Sequence, residues 1–584
     1  MRKTTFLFFA LLLMSIGVWA QTSVTSISAD KVYTLECNAK DGHEARFIND
    51  DGTIIDGQRY FGTFFSFEPI TGMGPEAYYC YIRSITSGKY INYNSTTQKI
   101  CVEESPKTLW EAAKIEDANT MYFKVSGTVH ASNNNPLYLN NNGNATDETC
   151  TNLQAKDHGN APTNDSNGCS SWTVREYTLE EAYASIRNIY KNAFVGKVGT
   201  YTVESATALM ALMIEDAETD TWNNLGQFCL DLGNAVTNTT GWQLIMPDPN
   251  KFYNVATWRK SNLGKLVFAG SDNKCYWGDN TTPAGVWVFE VDGDNYYMKN
   301  LATGSYTGSY AQTSDAIQLI DERINPVTME HTGNIRPTVA IRPGEGARLN
   351  RSQNGGFPKV VCAWNESLTT NNNSGWLINE VDPSDIRHTL TIGETGWATL
   401  VLGFNATIPT VDGVKVYVVT ETSTESATLQ EVSGVLPANV AVLVSGTANS
   451  TVDFVCTSDA ASGITSELRG TLYNKNITLG TSETCYVLAK PDGAEIPGFY
   501  KAELNQSEGT AFLNNANRAY LSIGVSGGAP ARYLSFDFGT ETGLDVIKGI
   551  ESASTESVIY DLSGRRVRNA QKGMYIVNGN KVVK

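Results

Sequence analysis

Hydrolytic chemistry needs a nucleophile beside a base, a pair of carboxylates, or a metal held by several donors. Gly524-Val525-Ser526-Gly527-Gly528 has the G-x-S-x-G form of a nucleophile elbow. Such an elbow works between a strand and a helix, where a strained turn lifts the serine over an oxyanion hole. Here the strand-forming stretch ARYLSFDFG follows, so the glycines are read as those of a turn joining two strands into a hairpin. His43, His130, His158, His331 and His388 are scattered through turns and strand ends, which gives neither a Cys–His pair nor a multi-histidine metal site. The acidic runs Asn49-Asp50-Asp51-Gly52 and Asp292-Gly293-Asp294-Asn295 are explained by turn chemistry. The second also lacks the spaced ligands and distal glutamate of an EF-hand loop. No phosphate-cradling loop lies between a strand and a helix. The sequence therefore predicts no catalytic residue, no metal ligand and no cofactor. Two carboxylates at glycosidase separation have no sequence signature, so an extracellular glycosidase or peptidase stays as the alternative reading.

Binding chemistry is better represented. Sugar recognition combines an aromatic face, stacked on the ring, with carboxylate and amide groups that bond hydroxyls. Trp277, Asp279 and Asn280 in CYWGDNTT offer that combination on a turn, and Trp364, Asn365 and Glu366 in CAWNES offer another. These six are the candidate ligand-binding residues. The competing reading packs both tryptophans inside a barrel and leaves the polar residues to build turns.

Composition narrows the partners. The 584 residues carry 61 acidic and 44 basic side chains, a net charge of −17, which disfavours nucleic acid and anionic membrane surfaces. Arg2 and Lys3 precede an apolar run over 6–18, and Val18-Trp19-Ala20 is a small-residue cleavage pattern. Residues 1–20 are accordingly read as a signal peptide, with no transmembrane segment after cleavage and an extracellular or cell-surface destination. An oxidising compartment permits disulfides among the ten cysteines. Grouping by module pairs Cys275 with Cys362 and Cys456 with Cys485, and lets Cys150 and Cys169 staple the Asn-rich loop between them. The alternative is a set of buried thiols.

Those residues need elements to hold them. Runs of Val, Ile, Tyr, Phe and Thr broken by Gly, Asn and Asp make most of the chain short strands. A strand–turn–strand unit recurs three times in 32–177: VYTLECNAKDGHEARFIND, YYCYIRSITSGKYINYN and MYFKVSGTVHASNNNPLYLNN. Aromatic strands follow the units around Phe67, Trp110 and Trp172. A second set, with anchors at Trp287 and Trp376 and no aromatic in the middle INPVTMEHTG, fills 245–382. This pattern resembles a ricin-type β-trefoil, in which three units close a barrel around a pseudo-threefold axis. The Gln-x-Trp hallmark of that family is absent. The resemblance implies lectin-like modules and a glycan or glycoprotein ligand.

Between the sets the periodicity becomes helical. Thr178 and Glu181 have capping-box spacing at the start of YTLEEAYASIRNIYKNAF, and helices are also predicted from Val203 and from Thr221. From His388 seven strands recur at sandwich spacing. The ending SVIYDLSGRRVRNAQKGMYIVNGNKVVK resembles the C-terminal sorting domain of type IX secretion substrates, which implies secretion machinery as a partner. The expected fold is thus mainly β. Two β-trefoil-like modules at 21–177 and 245–385 flank a helical spacer at 178–244. A β-sandwich at 386–545 and a sorting-like β segment at 546–584 follow. The function expected is non-catalytic binding of carbohydrate or host surface material, with a structural cell-surface role as a further alternative.

Overall fold

A computed structural model describes residues 23–583 apart from several stretches, the longest 38–45, 57–63, 71–77, 142–152, 215–221, 503–510, 539–558 and 561–573. The signal segment at 1–20, the turn at 49–52, Cys150, Ser526 and the turn at 563–567 lie outside the described residues. The chain is mainly β, with several separate sheets.

The first block contains β1 (Ser23–Val24), β2 (Val32–Cys37), β3 (Arg46–Ile48), β4 (Ile54–Asp56), β5 (Phe65–Pro69), β6 (Tyr78–Ser84) and β7 (Tyr90–Asn94). It continues with β8 (Lys99–Glu103), β9 (Trp110–Lys114), β10 (Met121–Val129), β11 (Pro136–Asn141), β12 (Leu153–Asp157) and β13 (Trp172–Tyr177). β2, β5, β6, β9, β10 and β13 pair in that order, antiparallel, and β13 pairs back to β2. The six strands therefore form a closed ring, which removes the sheet edge. The hairpins β3–β4, β7–β8 and β11–β12 each lie between two successive ring strands. Period-two alternation points Phe65, Phe67, Cys80, Ile82, Trp110 and Phe123 into one core.

The second block repeats the scheme. Its strands are β14 (Phe252–Thr257), β15 (Leu266–Ala269), β16 (Cys275–Gly278), β17 (Val286–Asp292), β18 (Asn295–Asn300) and β19 (Tyr306–Thr307). They continue with β20 (Leu319–Ile320), β21 (Val327–His331), β22 (Val339–Pro343), β23 (Leu349–Arg351), β24 (Lys359–Ala363) and β25 (Trp376–Val381). β14, β17, β18, β21, β22 and β25 close the ring. β15–β16, β19–β20 and β23–β24 are the hairpins. The anchor tryptophans do the same work in both blocks. Each is fully buried and gives its indole N–H to a carbonyl on the first strand of a hairpin. Trp110 bonds Ile91 O at 2.8 Å, Trp172 bonds Leu139 O at 3.1 Å, Trp287 bonds Val267 O at 2.9 Å, and Trp376 bonds Leu349 O at 3.0 Å. At the missing middle anchor Val327 faces Pro343, as Trp287 faces Asn300.

Among the described residues three helices lie between the rings: α1 (Leu179–Phe194), α2 (Thr207–Ala211) and α3 (Trp222–Thr237). α1 starts at the expected capping box, Thr178 with Glu181. The second expected helix is reduced to the single turn of α2. Tyr183, Ile186 and Tyr190 of α1 share a core with Leu225, Cys229 and Leu232 of α3 and with Val32, Phe64 and Ile85 of the first block.

Beyond β25, a four-stranded and a nine-stranded sheet face each other across Leu390, Val416, Val418, Val444 and Phe454. The alternate residues Tyr417, Val419 and Leu443 turn to a further core with Phe499 and Leu521. The expected terminal hairpin does not form. Arg518–Gly524 pairs with Glu483–Ala489 and Arg469–Thr471, whereas Tyr533–Asp537 pairs with Gly498–Lys501 and Ser426–Val432. The two expected disulfides are also absent, and all four sulfurs are free thiols. Tyr276 pairs with Val360, so Cys275 shares its face with Val361, and Cys362 points the opposite way. Cys456 and Cys485 belong to different cores.

Candidate ligand-binding surfaces

The structure separates the first set of candidate residues. Trp277 sits on β16 in the core at 1% exposure, its indole N–H bonded to Ser352 O at 3.2 Å and the Arg351 guanidinium 4.9 Å from its ring centre. No ring face is left open to a ligand there. Asp279 is exposed and ion-paired with Lys265. Asn280 accepts from Thr282 N–H and its hydroxyl, both at 2.9 Å, as the first residue of an Asx turn. The competing packing reading holds for this tryptophan.

The second set differs. Trp364 follows β24 and is 40% exposed. Its backbone N–H bonds Arg348 O at 2.9 Å, which places the two residues side by side. Arg348 bonds the carboxylate of Glu330 at 3.0 Å, and Asn365 Oδ1 accepts the Arg348 N–H at 3.4 Å. Glu366 accepts Ser374 N–H at 2.8 Å and fixes the loop. An exposed indole thus stands with an amide, a guanidinium and a carboxylate on adjacent backbone. Glu330 lies on β21 and Arg348 just before β23, so nothing in the CAWNES segment could have named them.

A third constellation, on the outer face of the first ring, has no sequence motif at all. Glu68 faces Tyr81 and Ser66 faces Arg83 across β5–β6, while Arg83 faces Tyr90 across β6–β7. The Tyr90 hydroxyl lies 3.2 and 3.1 Å from the two Glu68 oxygens, and Arg83 is 3.6 Å from Glu68. Burial, followed by the bond to Glu68, pushes the Tyr90 hydroxyl pKa up. Arg83 Nε donates to Gly88 O at 3.0 Å, and Gly88 holds the left-handed turn, φ 70°, that allows this. A cleft of about 240 Å³ lined by Ser66, Glu68, Arg83 and Gly88 adjoins this cluster.

The second ring carries the same arrangement in Glu290, Lys299 and Tyr306. Glu290 faces Tyr297, Val288 faces Lys299, and Lys299 faces Tyr306. Tyr306 donates to Glu290 at 2.7 Å and Lys299 at 2.9 Å. Burial pushes the Glu290 carboxyl pKa up, but the Lys299 and Tyr306 bonds outweigh it and hold it below the usual range.

Among the described residues two serine–histidine pairs meet, neither marked in the sequence, and in the first Ser132 Oγ lies 2.9 Å from His130 Nδ1 within one exposed turn. In the second, His158 Nε2 lies 3.0 Å from Ser170 Oγ, which also takes the Asn140 amide at 2.6 Å. Ser170 is fully buried, so no substrate reaches its oxygen. Among the described residues no group of three or more His, Cys, Asp or Glu side chains is arranged to hold a metal ion, and no helix is long and apolar enough to cross a membrane.

No family model matches the chain, and no curated protein matches it. Solved structures give remote likenesses. A mosquitocidal holotoxin is 12% identical over 94% of this chain, with a TM-score of 0.23, and this chain spans 56% of the toxin's length. A GlcNAcα1-4Gal-releasing endo-β-galactosidase from Clostridium perfringens is 9% identical, covering 62% of this chain and 70% of its own, with a TM-score of 0.19. The Polyporus squamosus lectin, bound to a human-type influenza-binding epitope, is 11% identical, covering 49% of this chain and 93% of its own, with a TM-score of 0.17. These superpositions are too loose to assign an activity, so the functional argument rests on the side chains.

Proposed function

We propose that the chain is a secreted, surface-exposed protein that binds carbohydrate without catalysis, and that its two rings are β-trefoils of the ricin type. Six ring strands with three interposed hairpins support the trefoil reading in each block. The observation that carries the binding reading is Trp364, a large indole left 40% exposed beside Asn365 and the Arg348–Glu330 pair. An exposed aromatic of this size, rimmed by polar groups, is the usual form of a binding hot spot. Export rests on the signal pattern at 1–20 and on the sorting-like ending. Ile559–Tyr560, Met574–Val577 and Asn580–Val583 of that ending pair as an antiparallel sheet.

A glycan array probed with the intact chain tests the ligand. Trp364→Ala is expected to weaken sugar binding by roughly 30-fold, about 2 kcal/mol, with folding unchanged. Binding of no sugar, or undiminished binding by the variant, overturns the reading. Sustained release of reducing sugar or peptide by the purified protein would overturn its non-catalytic part. Loss of surface display on deleting 559–584 is the result expected of a sorting segment.

A further inference from the structure

The second ring holds an occupant that has no counterpart among the described residues of the first. Arg323, between β20 and β21, lays its guanidinium 5.2 Å from the centre of the Tyr297 ring. One of its nitrogens lies 3.7 Å from Glu290 and the other bonds Asp292 at 3.2 Å. A planar cation is stacked on a tyrosine and paired with carboxylates, the arrangement that suits guanidinium better than ammonium.

Strand register converts that site into the first ring. Glu68 and Tyr81 face each other as Glu290 and Tyr297 do. Trp110 pairs with Cys80 as Val327 pairs with Tyr296, which makes Trp110 and Val327 equivalent. Four residues before Val327 stands Arg323, and four residues before Trp110 stands the exposed Pro106. Of the cations around this face, Lys107 pairs with Glu103 at 2.7 Å, Lys89 pairs with Glu104 at 3.3 Å, and Arg83, 3.6 Å from Glu68, lies over the Tyr90 ring. Among the described residues, no guanidinium takes the place over Tyr81 that Arg323 takes over Tyr297.

We propose that the Glu68–Tyr81 face of the first ring receives an arginine side chain from a basic protein partner, seated as Arg323 is seated in the second ring. The net charge of −17 favours encounter with such a partner. Ile70 stands where Asp292 does, two residues beyond the glutamate, so the site offers one carboxylate instead of two. A single arginine is therefore held weakly, and the partner must add contacts of its own.

The test is surface plasmon resonance of the intact protein over an immobilised peptide of four Gly-Arg repeats, with Gly-Lys and Gly-citrulline peptides alongside. The arginine peptide is expected to bind several-fold tighter than the lysine peptide and far tighter than the citrulline peptide. Glu68→Gln should weaken it at least fivefold. Pro106→Arg, which supplies the guanidinium from within, should weaken it as much, while Pro106→Ala and Glu104→Gln should leave it unchanged. Thermal melting of each variant reports that the ring is intact. Equal binding by wild type, E68Q and P106R overturns the proposal, as does equal binding of the citrulline peptide. Loss of glycan-array binding in E68Q would assign the face to sugar and also overturn it, whereas the Trp364 result is independent of either outcome.

Discussion

His331 is the residue whose chemistry is most tightly bound to the fold. It is 6% exposed, its Nδ1 accepts Gly333 N–H at 3.1 Å, and its Nε2–H donates to Ala193 O at 2.9 Å. Phe194 and Tyr201 pack on the ring. The bond into Nδ1 requires a neutral imidazole, and burial lowers the pKa below 6.5 despite the contacts with Ala193 and Arg336. An unfolded histidine takes up its proton near pH 6.5, whereas the folded one resists until lower pH. His331 therefore contributes full stability above about pH 6.5 and loses it as the pH falls from there through the folded pKa. The slope reaches at most about 1.4 kcal/mol per pH unit for one proton. His158 and His388, also lowered by burial, act with the same sign. Urea midpoints measured at pH 7, 6 and 5 are expected to fall more steeply for wild type than for His331→Gln. Parallel slopes would show that folding does not shift the His331 proton equilibrium and would overturn this account. Only the alternation of buried and exposed positions was legible at this scale. His331 looks like a strand-end residue in sequence, because the carbonyl it serves lies 138 positions away.

At the scale of elements, helix α3 shows how little room the packing leaves. A Cβ at Gly226 would lie 2.4 Å from Ile85 O in the turn after β6. Alanine is the better helix former by about 1 kcal/mol, yet overpacking against a fixed carbonyl costs about 1–3 kcal/mol. Gly226→Ala is thus predicted to lower stability by up to about 2 kcal/mol, read from the denaturant midpoint, and a stabilised variant would mean that α3 does not dock there. The sequence marks α1 fully, since capping is local chemistry between Thr178 and Glu181. It misleads at the C-terminal hairpin, because two strands separated by a glycine-rich stretch look like neighbours. Each of the two found different partners within the same nine-stranded sheet. Short-range turn signals do not encode such long-range exchange.

For the whole molecule, the segment between the rings is a packed layer with contacts on both sides. α3 docks on the first block through Gly226, and a Cβ at Gly199 would lie 3.1 Å from Val339 of the second ring. The second ring is joined just as closely to the C-terminal sheets. Val286 and Leu301 lie in one core with Leu390, Leu400 and Phe454. Asp321 accepts bonds from Tyr473 at 2.8 Å, Lys475 at 3.3 Å and Ser305 at 3.0 Å. Gly403 has no space for a side chain, since a Cβ would lie 2.2 Å from Leu301 O. Calorimetry is expected to show the second ring and the C-terminal sheets melting together, and Gly403→Ala is expected to split that transition by prying the two apart. Separate transitions in the wild type would sink this account.

The sequence alone determined the mainly β class, the recurrence of strand–turn–strand units, the capped helix and the acidic balance. Each depends on residue type and spacing over a few positions, where alternation, capping and charge act. Tertiary structure decided the rest. Trp277 and Trp364 have similar polar neighbours in sequence, yet one became core and the other surface, because exposure depends on which strands close over a residue. Cys275 and Cys362 were separated by one step of strand register. Glu68, Tyr81 and Tyr90, like their counterparts Glu290, Tyr297 and Tyr306, became a site only when β-pairing put them on one face. Arginine at position 323 filled one copy, whereas proline stands at the equivalent position 106 and no described residue supplies that cation to the other, a contrast that appears once both rings are closed.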